Sequence, residues 1–487
     1  MPITDEERKA HYSLNRKFDL YVCAHLSKCR IHVADQEAQI IPFLAAIYLF
    51  NGLDRSNLGN AQTDNFSTDI GIPAAAVNQA NSLFFVTYIP FHPIIVGFGK
   101  KMGQTKFIAL IGSIWGILTI CHAFVKGNGS LIAIRLLMGA AECGFYPTAV
   151  SYLSNFYPRY DLAFRFSLFY SFFAIAGAFG GLIAFGVFQI HGSLYGWQYL
   201  FIIEGIVPII LAIAAPFMLA KGPGTAWYLT PQEREYADKR MVMDAAANLD
   251  STYKLTKRDI YEACIDWRLW VTLAANIMST LAGQGLSTFF PVVIKGLGYS
   301  GALANLMTVP PYVAGSVVLL LVAYSSDRFK NRTFHILGGL VLVIIGLALT
   351  LSLPLENTGG RYAGLLVLLS GSFISSPLSA VWLAGNTPEP GKRVIIISFN
   401  GWGNLSGVIG SELFVPQYGP DYRYPLKITL ILVCTSFALY IVVYILLRYT
   451  NWLRAKKLAT MTADELEEEN RSDVRVGDKK YTFVYGL

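Results

Sequence analysis

Charge is scarce in this chain. Of its 487 residues only 15% are Asp, Glu, Lys or Arg, against 54% hydrophobic, too little polar surface to clothe a water-soluble globule of this size. Cysteine is scarce too: Cys23, Cys29, Cys121, Cys143, Cys264 and Cys434 form no CxxC pair, which excludes a disulfide framework and a zinc site. There is no phosphate-binding loop, no metal-ligand cluster and no nucleophile with a positioned base, so neither enzymatic catalysis nor ATP-driven pumping is expected, and no cofactor. The first 36 residues carry no apolar core followed by a small-residue cleavage site. No cleavable secretory signal is expected, and the first apolar run would itself direct insertion.

What is present is length of apolar run. A membrane-spanning helix needs roughly 20 mostly apolar residues, because the hydrocarbon cannot satisfy an exposed backbone amide. About twelve such runs occur, near 40–58, 78–98, 107–125, 131–153, 164–189, 197–220, 269–292, 302–325, 333–353, 361–386, 394–416 and 425–448. The expected fold is an all-α membrane protein of twelve transmembrane helices in two pseudo-symmetric six-helix bundles. It divides into a tail 1–39, a bundle 40–220, a linker 221–268 with its charged segment after Pro231, a bundle 269–450 and a tail 451–487. The loop Gly97-Phe-Gly-Lys-Lys-Met-Gly-Gln-Thr-Lys106 recurs six runs later as Ala323-Tyr-Ser-Ser-Asp-Arg-Phe-Lys-Asn-Arg332. Repeated halves of this kind suit a transporter that exposes a central site alternately to each side.

With the N-terminus inside, Lys100, Lys101, Lys106, Arg159, Arg165, Arg328, Lys330, Arg332, Lys392 and Arg393 lie in inner loops. Lys126, Lys295, Arg361, Arg423 and Lys427 lie in outer ones, a positive-inside bias of about two to one. Both termini are therefore expected in the cytoplasm. The net charge of +7 is spread over short loops rather than gathered on a stripe, which argues against nucleic acid.

Charges inside the runs need explaining, since each costs at least ~2.5–3.5 kcal/mol at a helix centre. The first run places Asn51, Asp54, Arg55 and Asn57 along one face. Two readings fit: an ion pair that only fixes packing, or an Arg55 that holds an anionic substrate while Asp54 exchanges a proton. Arginine suits the clamp because its planar fork meets a carboxylate through two parallel donors and stays charged. In the fourth run Arg135 and Glu142 are seven apart, on one face about 10 Å apart along the axis. They are either a static pair or a proton-coupling site, because burial disfavours an ionised carboxylate and a nearby cation favours it. Asp327 and Arg328, after the eighth run, read as a gate or brace. Tyr88, Tyr146, Gln284, Asn400 and Asn404 are candidate cavity residues, though membrane helices also use such groups to bind one another. Glu204 and Glu412 lie near a boundary or lack an evident partner and receive no role. Glycines 177, 180, 181 and 186 of the fifth run and 401, 403, 407 and 410 of the eleventh are read as close packing.

The stretch Leu53-Asp-Arg-Ser-Asn-Leu-Gly-Asn-Ala61 resembles the end of the first helix in the fungal allantoate permease family, anion:cation symporters of the major facilitator superfamily. Arg135-Leu-Leu-Met-Gly-Ala-Ala-Glu-Cys-Gly-Phe-Tyr-Pro147, Tyr152-Leu-Ser-Asn-Phe-Tyr-Pro-Arg159, Gly196-Trp-Gln-Tyr-Leu-Phe-Ile-Ile-Glu-Gly205, and Leu297-Gly-Tyr-Ser through Pro310-Pro-Tyr312 resemble it too. The resemblance runs from about 40 to 450. It departs at Lys101, where the superfamily usually has Asp, and at Cys143, often Ala. It implies the major facilitator fold and proton-driven import of a small organic anion such as allantoate, nicotinate, pantothenate or biotin at the plasma membrane, by a monomer. It further implies that Arg55 binds the carboxylate and that Asp54 and Glu142 couple protons. Two alternatives remain open: proton-coupled efflux of a metabolite or toxic compound, and a nutrient sensor without flux.

Overall fold

A computed structural model describes residues 40–487 except 154, 155, 158, 191, 228, 247–256, 300, 463, 466–468 and 470–476. The expected tail 1–39 lies outside the described residues. Among them every regular element is helical. The twelve principal helices are α1 (Ile40–Thr63), α2 (Ala74–Met102), α3 (Gln104–His122), α4 (Asn128–Leu153), α5 (Arg159–Val187) and α6 (Gly196–Met218), then α7 (Trp267–Gly296), α8 (Ala302–Phe329), α9 (Thr333–Ser352), α10 (Thr358–Gly385), α11 (Pro390–Asn400 continued to Leu405–Leu413) and α12 (Arg423–Leu458). They match the twelve apolar runs in order. Shorter helices, Pro231–Ala246 and Lys257–Ile265, lie in the linker.

Eight of these, α3, α4, α5, α6, α8, α9, α10 and α12, are each long and apolar enough to cross a membrane, and α7 joins them when its two pieces are taken together. The weaker ones have a physical cause. α1 carries Asn51, Asp54, Arg55, Asn57 and Asn60, all buried. α11 is interrupted by a 3₁₀ turn over Gly401–Asn404. The least apolar helices are those with polar groups turned inward.

The described residues fall into two compact units, 40–72 with 86–246, and 73–85 with 257–487. In the first, α3 lies on α6 and α1 on α5. Glycines permit this approach. A Cβ on Gly116 would stand 2.9 Å from the Gly205 carbonyl oxygen, and one on Gly52 2.6 Å from Ala176 Cβ. Gly180 likewise meets Ser56 and Leu53, whereas Gly186 faces open space, so the close-packing expectation holds for one and not the other.

In the second unit α9 lies on α10 through Gly346 and Gly364, and α7 packs on α11 and α12; a Cβ on Gly403 would meet Asn276 Nδ2 at 2.6 Å. The first turns of α2 cluster here as well. Asn78 Nδ2 donates to the Ser411 carbonyl at 2.9 Å, and Ser82 Oγ donates to Glu412 Oε1 at 2.6 Å, which gives Glu412 the partner the sequence did not reveal.

The last residues of the chain fold back on this unit. Asp478, 4% exposed, accepts from Arg268 Nη2 at 2.5 Å, Lys392 Nζ at 2.9 Å and the Tyr485 hydroxyl at 2.9 Å. Arg268 and Lys392 also pair with Asp266. The Gly486 carbonyl accepts from Trp382 Nε1 and Asn386 Nδ2, and that of Leu487 from the Arg332 amide. Burial pushes the Asp266 carboxyl up, but its hydrogen bond from Arg268 and the charges of Arg268 and Lys392 outweigh that and bring it to about 2. Burial opposes the Arg268 and Lys392 charges at Asp478 in the same way, with a net lowering.

Candidate functional site

The first unit buries a set of polar groups that no soluble core of this composition would hold. α1 supplies most of them, held with one face inward by α5 and by α6. Asp54 and Arg55, neighbours in sequence, go separate ways. Asp54, 2% exposed, accepts through Oδ1 from Thr119 Oγ1 at 2.9 Å and Asn57 Nδ2 at 3.3 Å, and its Oδ2 has no hydrogen-bond partner. Arg55, 7% exposed, lies over the Tyr88 ring at 4.9 Å and the Phe173 ring at 5.3 Å and donates to the Tyr88 hydroxyl. A guanidinium on aromatic faces gains cation–π attraction without surrendering its charge to a carboxylate. The ion-pair reading of Asp54 with Arg55 therefore has no geometric basis.

On α4, Arg135 and Glu142 are each 1% exposed. They do not pair. Glu142 Oε2 accepts from Asn51 Nδ2 at 3.1 Å, Glu142 Oε1 has no partner, and Arg135 leaves Nε and Nη2 unsatisfied. The charges of both Arg55 and Arg135 nonetheless act on Glu142, and that of Glu142 acts on Asp54. Unsatisfied buried polar atoms are costly and mark places where something else binds or moves.

Around Arg55 runs an aromatic belt. Tyr88 on α2 is buried and Tyr146 on α4 half-buried. Tyr48 stacks on Phe169 at 4.4 Å between centroids, and reaches Tyr146 at 5.9 Å, Phe173 at 5.7 Å and Tyr170 at 6.2 Å. Tyr48, Tyr170 and Phe173 were not legible as site residues, because an aromatic in an apolar run carries no mark distinguishing cavity wall from packing.

In the second unit, Asn400 is buried and bonded to α7. Its Oδ1 accepts from Asn276 Nδ2 at 3.2 Å. Asn404 Nδ2 donates to the Gly401 carbonyl within the 3₁₀ turn, and Gln284 on α7 is half-buried. Asp327 pairs with Arg332, Oδ1 to Nη2 at 2.5 Å, and not with Arg328, which is exposed. Asp327 and Arg328, expected together as a gate or brace, are thus not paired with each other, and Asp327 meets instead the base that closes this loop.

Comparison with known proteins places the chain. The profile of the Major Facilitator Superfamily matches residues 44–411. The MFS-type transporter efuF of Hormonema carpetanum is 36% identical over 401 residues, 81% of this chain and 80% of that one. The high-affinity nicotinic acid transporter of Saccharomyces cerevisiae is 32% identical over 447 residues, covering 92% and 83%. Among solved structures, the xylose transporter XylE from E. coli superposes with a TM-score of 0.62 at 14% identity, over 81% of this chain and 95% of that one, a likeness of fold. A buried cation among unsatisfied carboxylates, in a multi-span helical membrane protein that is a transporter and not an enzyme, fits where the sequence comparisons put it: the chain belongs to the Major Facilitator Superfamily.

Proposed function

We propose that the protein is an anion:cation symporter of the allantoate permease type, carrying a small organic anion into the cell together with protons. The observation behind this reading is the burial of one cation, Arg55, in the same unit as two carboxylates, Asp54 and Glu142. A permanent cation is held on aromatic rings, while each nearby carboxylate keeps one oxygen unsatisfied. A carboxylate cargo meets Arg55 through its two-donor fork. A proton meets Asp54 or Glu142. The belt of Tyr48, Tyr88 and Tyr146 offers flat apolar faces with hydroxyl tips, suited to a small planar or short-chain acid.

The similarity to a nicotinic acid transporter supports a carboxylate cargo. In this reading both termini face the cytoplasm, the membrane is the plasma membrane, Asp327 with Arg332 braces the inner end of α8, and the proton gradient is the energy source.

The test is uptake of radiolabelled nicotinate, pantothenate, allantoate and biotin into transporter-deficient yeast, at acidic and neutral pH, with and without a protonophore. Accumulation of one member that collapses with the gradient is the expected result. Export of a compound from preloaded cells, with no accumulation of any of the four, would favour efflux instead.

A further inference from the structure

Glu204 on α6 is the buried acid that the symport reading leaves unused. It is 1% exposed, and its carboxylate meets the amide of Asn57 without a well-formed hydrogen bond to either oxygen. No ion pair holds it. Its place is fixed by the residue beside it: Gly205 approaches α3 so closely that a Cβ there would stand 2.8 Å from the Gly116 carbonyl oxygen. Glu204 therefore cannot swing away by shifting its helix.

What faces it is informative. From α1, Asn57 stands against Glu204 and bonds Asp54 through its Nδ2, leaving its own Oδ1 unsatisfied. α5 between 166 and 187 contributes no ionisable side chain except Tyr170. The charge of Glu204 acts on Asp54, as do those of Glu142 and Arg135.

We infer that Glu204 is a second proton-carrying residue, working in series with Asp54 across Asn57. The inference rests on the symport reading and deepens it. A structural carboxylate would have both oxygens firmly bonded, and this one has only the marginal approach of Asn57. A cargo contact is excluded by sign, since an anionic cargo gains nothing from a carboxylate. A metal ion is a poor fit, because no group of three or more His, Cys, Asp or Glu among the described residues is placed to hold one. A proton needs only a single acceptor. Two like charges separated by one amide in a low-dielectric interior repel strongly, so a proton arriving at Glu204 relieves Asp54 and a proton leaving it returns the strain.

The experiment compares wild type, Glu204→Gln and Glu204→Asp in proteoliposomes, with radiolabelled nicotinate as probe. Two quantities are read: accumulation driven by a pH gradient, and counterflow at equal pH, which exchanges cargo without net proton movement. For Glu204→Gln accumulation should fall about tenfold, within the usual range of coupling between two ligands, while counterflow stays near wild type. Glu204→Asp should keep both and shift the pH profile of accumulation. Wild-type accumulation in Glu204→Gln would overturn the inference. So would loss of counterflow in a variant present at normal levels, which would mark a packing role. If Glu204→Gln does not reach the membrane, Glu204→Asp decides, an unchanged pH profile counting against it. Wild-type uptake indifferent to the gradient is a separate result, read before any variant, that sinks the symport reading and the inference together.

Discussion

At the scale of the residue, Arg55 and Glu142 illustrate two ways of keeping charge in a lipid-embedded core. Arg55 lies over the Tyr88 and Phe173 rings and donates to the Tyr88 phenol oxygen. Lysine at this position would keep the charge but offer a point rather than a fork. Arg55→Lys should raise the KM for the cargo about tenfold, the equivalent of ~1.4 kcal/mol, and Arg55→Gln should abolish saturable uptake; initial rates against concentration give both. Glu142→Gln preserves the bond from Asn51 and removes only the exchangeable proton. Its uptake should no longer rise as the outside pH falls from 7 to 5, a comparison made at saturating cargo; persistence of the rise would move the coupling role elsewhere. The sequence made these two positions legible because a charge in an apolar run must have a reason. It could not reveal that Arg135 and Glu142 stay apart, since seven residues fix a shared face and not a side-chain direction. Nor could it show Glu204 turned inward, because a carboxylate near the end of a run reads as boundary decoration until the neighbouring helix is seen.

At the scale of the element, glycine spacing decides which helices come together. Gly116 and Gly205 let α3 and α6 meet backbone to backbone, where a new Cβ on Gly116 finds Ile209 Cγ1 at 2.6 Å. Gly186, near the end of α5, has open space around it. The two should respond oppositely to the same change. Gly116→Ala forces the helices apart and should cost about 1–3 kcal/mol, whereas Gly186→Ala gains about 0.5–1 kcal/mol of helix propensity. Thermal midpoints of the purified proteins in detergent distinguish them, and equal shifts would refute the packing account. The twelve helices were readable from hydropathy because the bilayer imposes one length on each. The 3₁₀ interruption of α11 at Gly401–Asn404 was not readable, since hydropathy gives one continuous run there and its glycines read as packing. Which glycines touch a neighbour was not readable, because helix orientation about its own axis depends on the partner.

At the scale of the whole molecule, the final residues tie the second unit together, and nothing in their sequence announces it. Asp478 meets a guanidinium 210 residues away, and the Gly486 carbonyl a tryptophan 104 residues away. Composition cannot register contacts of that range. The arrangement joins α7, α10, α11 and α12 at one end of the unit: Arg268 and Lys392 approach each other, two cations balanced by Asp266 and Asp478, while Asn451 bonds the Tyr485 backbone and Tyr485 lies between Arg268 at 4.8 Å and Arg454 at 4.5 Å. Removing one acid from such a set leaves a buried cation uncompensated, which typically costs about 3–5 kcal/mol. Asp478→Ala should therefore lower the thermal midpoint well beyond the effect of Gly116→Ala, and removal of residues 477–487 should do the same. The pH dependence follows from the sign of the shift. Both carboxyls are lower in the folded protein than in the unfolded chain, where Asp titrates near ~3.9, so their contribution is fully present above that value. It is lost as pH falls from about 4 toward the folded value, about 2 for Asp266. Wild type should show a thermal midpoint that is steady above about pH 5 and drops steeply below 4, and Asp478→Ala a shallower drop, because one of the titrating groups is gone. Identical acid profiles for the two proteins would mean that the charges at this end are screened by solvent and that the docked C-terminus adds little to the stability of the unit.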